Sequence, residues 1–129
     1  MNQPIILYGE VVHGKALGRT VGMPTANLHI SSGELPECGV YATIIRVNEQ
    51  TYQSVTNIGR RPTVDQENHL TIETFILDFD QDIYGEKVEL EVHQFLRPIQ
   101  KFKNLEQVKN QVKKDVKEAK KYLDMLVAK

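Results

Sequence analysis

The sequence predicts a mainly β domain, a sandwich or barrel, with one long helix at its C-terminal end. Three observations predict it. Glu86 to His93 alternates, with Val88, Leu90 and Val92 on one face and Lys87, Glu89, Glu91 and His93 on the other. Period two with one polar face is a half-buried antiparallel strand. β-Branched and aromatic stretches recur between turn-forming clusters, and many short strands so punctuated argue a sandwich or barrel. Beyond residue 104 the apolar residues step by three and four instead, the spacing of a helix with one buried stripe.

Taken in order, Ile5 to Val12 is the first strand candidate, followed by a turn region from Gly14 to Gly22. A second turn region spans Ser31 to Gly39, and Gly39 to Asn48 (GVYATIIRVN) is the next strand. Asn48 to Gln50 is a tight turn into Thr51 to Ile58. Gly59 to Asn68 reads as a loop, Leu70 to Phe79 (LTIETFILDF) as a strand, and Asp80 to Gly85 as a turn, its Asp82 to Gly85 portion a hairpin loop. The alternation of the last strand fails at Gln94 and Phe95, where it bulges or ends. The helix stripe is Leu105, Val108, Val112, Val116, Ala119, Leu123 and Leu126. Asn104 stands at the N-cap position with Gln107 three residues on. Lys113 to Lys121 carries five lysines in the later half, placed to complement the helix dipole. The helix is expected as a lid on the barrel wall.

A chain of 129 residues is room for one domain, residues 1–129, with the barrel at about 5–98 and the helix at about 104–127. Hydrophobic residues make up 40% and charged residues 26%, which excludes a disordered chain, a collagen and a disulfide scaffold. No apolar run is long enough to cross a membrane. The N-terminus lacks the basic flank of a signal peptide. The single cysteine, Cys38, forms no internal disulfide and fits a reducing cytoplasm. Residues 101–129 hold nine lysines against four carboxylates, net +5, while residues 1–100 are net −6. A basic tail can mean nucleic acid. No stacking aromatics interleave these lysines, so they read as a solvated face, with no membrane or nucleic-acid partner and a monomer expected.

The densest cluster of special residues is Gly9 to Asn27, GEVVHGKALGRTVGMPTAN. Gly14 to Thr20 nearly spells a phosphate-binding Walker A loop but is one residue short and has Arg19 for lysine. Pro24 also discourages the helix such a loop needs. The physics outlasts the failed motif: glycines admit backbone N–H groups close to an anion, and Lys15 or Arg19 supplies charge. The same glycines also serve as ordinary turns. Thr25 and Asn27, two apart on an extended chain, aim a hydroxyl and an amide oxygen the same way, the hard ligands that Mg²⁺ takes. Glu73 lies among apolar strand neighbours, where desolvation favours a stronger base; the other reading is a strand-end carboxylate reaching solvent. Asp78, Asp80, Asp82 and Glu89 mimic calcium-loop spacing, but Ile83 stands where the loop requires glycine. The histidines at 13, 29, 69 and 93 have no zinc-site spacing, and no nucleophile motif accompanies Cys38.

The ordered motifs Gly9-x-Val11-Val12-x-Gly14, Gly18-Arg19-x-x-Gly22-x-Pro24-Thr25-Ala26-Asn27, Gly39-Val40-Tyr41, Asn57-Ile58-Gly59-x-x-Pro62-Thr63, Glu73-Thr74-x-Ile76, Asp82-x-Tyr84-Gly85 and Phe95-Leu96-Arg97-Pro98 before Lys101-Phe102 resemble the riboflavin kinase (flavokinase) family, including the kinase module of bacterial bifunctional riboflavin kinase/FAD synthetases. The resemblance runs from about Gly9 to Leu123. It implies a six-stranded antiparallel Greek-key barrel with a C-terminal helix, and ATP-dependent phosphorylation of the riboflavin 5′-hydroxyl to give FMN and ADP. It also implies Gly14, Arg19 and Tyr84 near ATP, Thr25 and Asn27 on Mg²⁺, Glu73 as general base, and Arg97, Gln100 and Phe102 against the flavin. Bacterial members usually join this module to an adenylyltransferase domain that makes FAD. FAD synthesis is therefore not expected of these residues, whether the chain is a stand-alone kinase or part of a longer protein. The alternative is a flavin-binding regulatory or sensor domain without turnover.

Overall fold

The computed structural model describes residues 4–12, 25–62 and 68–127. Six strands and one helix follow in order: β1 (Ile5–Val12), β2 (Ala26–Ser32), β3 (Gly39–Val47), β4 (Gln50–Pro62), β5 (Asn68–Ile76), β6 (Lys87–Arg97) and α1 (Leu105–Val127). The strands close into an antiparallel barrel in the order β1-β2-β5-β4-β3-β6. β3, β4 and β5 form a meander, and β6 returns beside β3 and β1 to complete the Greek key.

Alternation decides which side chains fill the barrel. Leu7 and Val11 of β1, Leu28 of β2, Tyr41, Ile45 and Val47 of β3, Ile58 of β4, Ile72 and Ile76 of β5, and Val88, Leu90 and Val92 of β6 form one buried core. Their period-two partners face outward. β3 and β4 are joined by Asn48 and Glu49, both at positive φ (52° and 65°), the backbone of a two-residue hairpin matched to strand twist. Gly9 sits at a register shift between β1 and β2, where any Cβ would collide with the His29 carbonyl. The backbones approach too closely there for another residue.

Several sequence expectations shift. β2 fills the stretch between the two turn regions that was assigned no strand, and it runs into the predicted turn at Ser31 and Ser32. β4 continues through Gly59 to Pro62 rather than ending at Ile58. β5 ends at Ile76, not Phe79. Of the two alternatives at Gln94 and Phe95, the bulge holds: against β3, β6 skips His93 and Leu96 and runs on to Arg97. Residues 77–86 do not form a hairpin, because β5 and β6 are not neighbours. Within that segment Leu77 and Ile83 are buried, and Ile83 joins the barrel core.

α1 lies outside the barrel on β3, β4 and β6. Val40, Ala42, Val55, Ala119 and Leu123 form a second core, with Ile44, Leu96, Val116, Tyr122 and Leu126 packed around it. Burying a side chain such as Val40 or Leu123 fully stabilises the fold by about 1.5–3 kcal/mol. The stripe begins later than its spacing suggests, since Leu105 is 53% exposed. Asn104 is the N-cap: the Gln107 amide donates to Asn104 Oδ1 at 2.9 Å, and Gln107 Oε1 accepts from the Lys103 amide at 3.0 Å. No basic residue occupies the last turn. The dipole benefit expected of the lysines is therefore small, because it falls off within that turn.

Candidate functional site

Three polar side chains meet where β2, β5 and β4 run side by side. Asn27 pairs with Glu73 across β2 and β5, and Glu73 pairs with Asn57 across β5 and β4. Their sequence neighbours Leu28, Thr74, Thr56 and Ile58 are buried. Alternation therefore turns Asn27, Glu73 and Asn57 together onto the outer surface. Directly opposed residues of an antiparallel pair hold their Cβ atoms about 4.5–5.5 Å apart. Glu73 is half-buried there. Its cross-strand neighbours are two amides, which adds polar company to the expected apolar neighbour Phe75 on the same outward face of β5. Gly59 continues the outer row beyond Asn57. A Cβ there would lie 3.3 Å from Thr71 Oγ1 and 3.8 Å from Asn57 Oδ1, so glycine keeps this surface open. Thr25 immediately precedes β2 and is half-buried.

The inward face beneath this row is polar too. Thr43 Oγ1 lies 2.6 Å from Ser54 Oγ and 2.8 Å from Thr56 Oγ1, and Thr56 Oγ1 lies 2.9 Å from Thr74 Oγ1. All four hydroxyls are fully buried. Thr56 and Thr74 are themselves a cross-strand pair, next to Asn57 and Glu73. Their bond fixes the β4–β5 register directly under the outer row, and a one-residue slip would turn Glu73 into the core.

The end of β1 adjoins the same region. The Gly85 amide donates to the Val11 carbonyl and the Val11 amide to the Glu86 carbonyl, each at 2.9 Å. The Tyr84 amide donates to Asp82 Oδ1 at 3.0 Å, and Gly85 takes φ +84°. This turn holds Tyr84, 55% exposed, beside the strand that leads into the glycine-rich segment. Gly14 and Arg19 of that segment lie outside the described residues.

Arg97, Gln100 and Phe102 occupy the segment between β6 and α1. The Arg97 guanidinium makes a two-pronged pair with Asp115, Nε to Oδ1 and Nη2 to Oδ2, each 2.9 Å. Its Nη1 donates to the Pro98 carbonyl at 3.2 Å, and its Cζ lies 5.7 Å from the centre of the Phe102 ring. Phe102 is half-buried and Gln100 exposed. The Phe95 ring of β6 lies against Gly39 of β3, where a Cβ would require the ring to shift, and meets Tyr41 edge-on at 5.4 Å. Burial, then the neighbouring Glu37 and Cys38, push the Tyr41 hydroxyl above its ordinary value. It stays a neutral donor, bonded to the Glu37 carbonyl at 2.5 Å.

The sequence-predicted residues thus form two groups. Asn27 and Glu73 come together, with Thr25 two residues from Asn27; Arg97 and Phe102 come together at the foot of the helix. Sequence reading gave no part to Asn57, although it stands in one of the motifs, nor to the buried hydroxyls or Asp115. Only Asp115 carried a signal, as an acidic residue near the apolar stripe. Among the described residues no group of three or more His, Cys, Asp or Glu side chains could hold a metal ion. The oxygens of Thr25 and Asn27 still fit Mg²⁺, which keeps several waters and relies on substrate phosphates for its other ligands. No helix among the described residues is long and apolar enough to cross a membrane.

The riboflavin kinase family (Flavokinase) matches residues 1–123. A Listeria monocytogenes bifunctional riboflavin kinase/FMN adenylyltransferase is 41% identical over 116 residues, 89% of this chain and 37% of the relative. A Bacillus subtilis protein named RNA-binding riboflavin kinase RibR is 43% identical over 111 residues, 86% of this chain and 48% of the relative. The chain thus spans less than half the length of either. The crystal structure of riboflavin kinase from Trypanosoma brucei superposes with a TM-score of 0.63 at 25% identity, covering 95% of this chain and 82% of that one. With the ordered motifs and the closed six-stranded barrel, the match places this chain in the riboflavin kinase family.

Proposed function

We propose that this chain phosphorylates the riboflavin 5′-hydroxyl with ATP, giving FMN and ADP. The observation that carries the reading is the register that sets Glu73 directly across from Asn27. A carboxylate and a metal-ligand oxygen share one outward face, beside the start of the glycine-rich segment. Phosphoryl transfer asks mainly for positioning and charge neutralisation.

Glu73 accepts the proton of the 5′-hydroxyl as its oxygen attacks the γ-phosphorus, and the bond from that phosphorus to the ADP oxygen breaks. Thr25 and Asn27 would hold Mg²⁺ through their oxygens, and the ion would supply neutralisation of phosphate charge. Gly14 and Arg19 face the phosphates, and Tyr84 lies near the nucleotide. Arg97, Gln100 and Phe102 border the flavin, where an aromatic wall suits an isoalloxazine ring. The single free Cys38 fits a reducing, cytoplasmic setting. The exposed lysines of α1 stay a solvated face.

The test is incubation with riboflavin, ATP and Mg²⁺ over a metal titration. The expected result is FMN and ADP in equal amounts, with turnover lost when the metal is chelated. Tight flavin binding with no turnover under any divalent metal would replace this reading with that of a flavin sensor.

A further inference from the structure

Resting on that reading, we infer that Asp115 is a positioning residue for the flavin side of the site, acting through Arg97. Asp115 is a charged residue on α1 with only 4% of its surface exposed. A carboxylate buried to that degree is costly unless its oxygens are matched. Here they are: Oδ1 accepts from Arg97 Nε at 2.9 Å and Gln111 Nε2 at 3.0 Å, and Oδ2 from Arg97 Nη2 at 2.9 Å. Two parallel charge-assisted bonds fix the plane of the guanidinium as well as its place. The remaining prong, Nη1, ties down the Pro98 carbonyl, and the Phe102 ring lies near the same guanidinium.

The consequence is a division of labour within the segment. The Nε–Nη2 fork of Arg97 is taken by Asp115 and Nη1 also donates to the Pro98 carbonyl, so Arg97 contributes shape. It clamps both ends of residues 98–102, through Pro98 at one end and Phe102 at the other. The apolar seam of Ala119 and Leu123 joins Val40, Ala42 and Val55, with Leu96 at its edge, and includes no residue of 98–102.

Asp115→Asn tests the clasp, since the amide keeps the size but presents an N–H to the guanidinium. Leu123→Ala is the control, weakening the same helix through its apolar seam. Lys101 and Lys103 are exposed, so trypsin cleavage after them, relative to cleavage after Lys109 and Lys120 in the same sample, reports on the segment without any activity. Asp115→Asn is expected to raise that ratio and the riboflavin KM by about tenfold each, as befits losing bonds to a charged group, with the ATP KM unchanged. Leu123→Ala should lower the melting temperature and leave the ratio and both KM values alone. Equal changes in the two variants, or no change in Asp115→Asn, would overturn the inference. A parent that forms no FMN defeats the functional reading instead, while an unchanged cleavage ratio in Asp115→Asn overturns the clasp by itself.

Discussion

Where β2 meets β5, the described residues pair only at Ala26 with Thr74 and Asn27 with Glu73. Where α1 lies on the barrel, an apolar seam runs from Val40 and Val55 to Leu123 and Leu126, with the Arg97–Asp115 clasp beside it. The first region turns its polar groups outward and contributes little buried apolar surface. The second buries Val40, Ala42, Val55, Ala119 and Leu123. A group that must meet a substrate cannot also be packed, so on the proposed function chemistry falls to the short seam and cohesion to the long one. Substitutions in the two regions should therefore separate turnover from stability.

The largest effect is expected at Glu73. Glu73→Gln keeps the size of the side chain on an outward face and removes its ability to take a proton. Turnover should fall by about 10²–10⁴-fold, the usual contribution of a general base. The melting temperature and riboflavin affinity should barely move. Turnover and thermal melting on one sample check it. A melting temperature that falls while the folded fraction keeps its rate would make Glu73 a structural residue and erase the contrast between the seams.

Much of this contrast was legible in the sequence, unevenly. Val88, Leu90 and Val92 alternate on one buried face and α1 follows its three-and-four stripe, because periodicity registers burial directly. The ordered motifs led to Asn27 and Glu73. Their adjacency was not legible, since residues 46 apart become neighbours only through strand order and register. The polar company of Glu73 was missed for the same reason: a period-two reading knows a strand's own faces and nothing of the strands beside it. Asp82 to Gly85 looked like a hairpin loop because a tight turn has the same chemistry whether or not the flanking strands pair. The clasp was hidden in another way. Asp115 sits one residue before Val116 of the stripe, and its burial depends on Arg97 arriving from the end of β6.

At the long seam, Leu123→Asp should give the opposite phenotype. Leu123 is fully buried between α1 and the barrel. A carboxylate there has no cation provided for it, so about 3–5 kcal/mol of stability should be lost, the scale of an uncompensated buried charge. Chemical denaturation is the measurement. Whatever fraction stays folded should keep a near-normal rate, because Glu73 and Asn27 stand on strands that do not form this seam. A mutant melting like the parent would mean that α1 is not docked as described.

The smallest effect probes what joins the two regions, the buried hydroxyl row of Ser54, Thr43, Thr56 and Thr74. Thr56 is its centre, bonded to Thr43 at 2.8 Å and to Thr74 at 2.9 Å. Valine has almost the same shape, so Thr56→Val tests the hydroxyl without opening a cavity. Thr43 would keep Ser54 as a partner, but Thr74 would lose its side-chain link to the row. An orphaned buried polar group costs about 1–3 kcal/mol. The unfolding midpoint in urea should drop accordingly, with an unchanged slope, and Thr56→Ser should recover most of the loss. Replacing Thr43, Thr56 and Thr74 together by valine should cost less than three single losses added, because no hydroxyl except that of Ser54 is then left without its neighbour. Strict additivity would mean that the hydroxyls act separately, each through its own backbone contacts. The row would then not be what holds the β4–β5 register beneath Glu73.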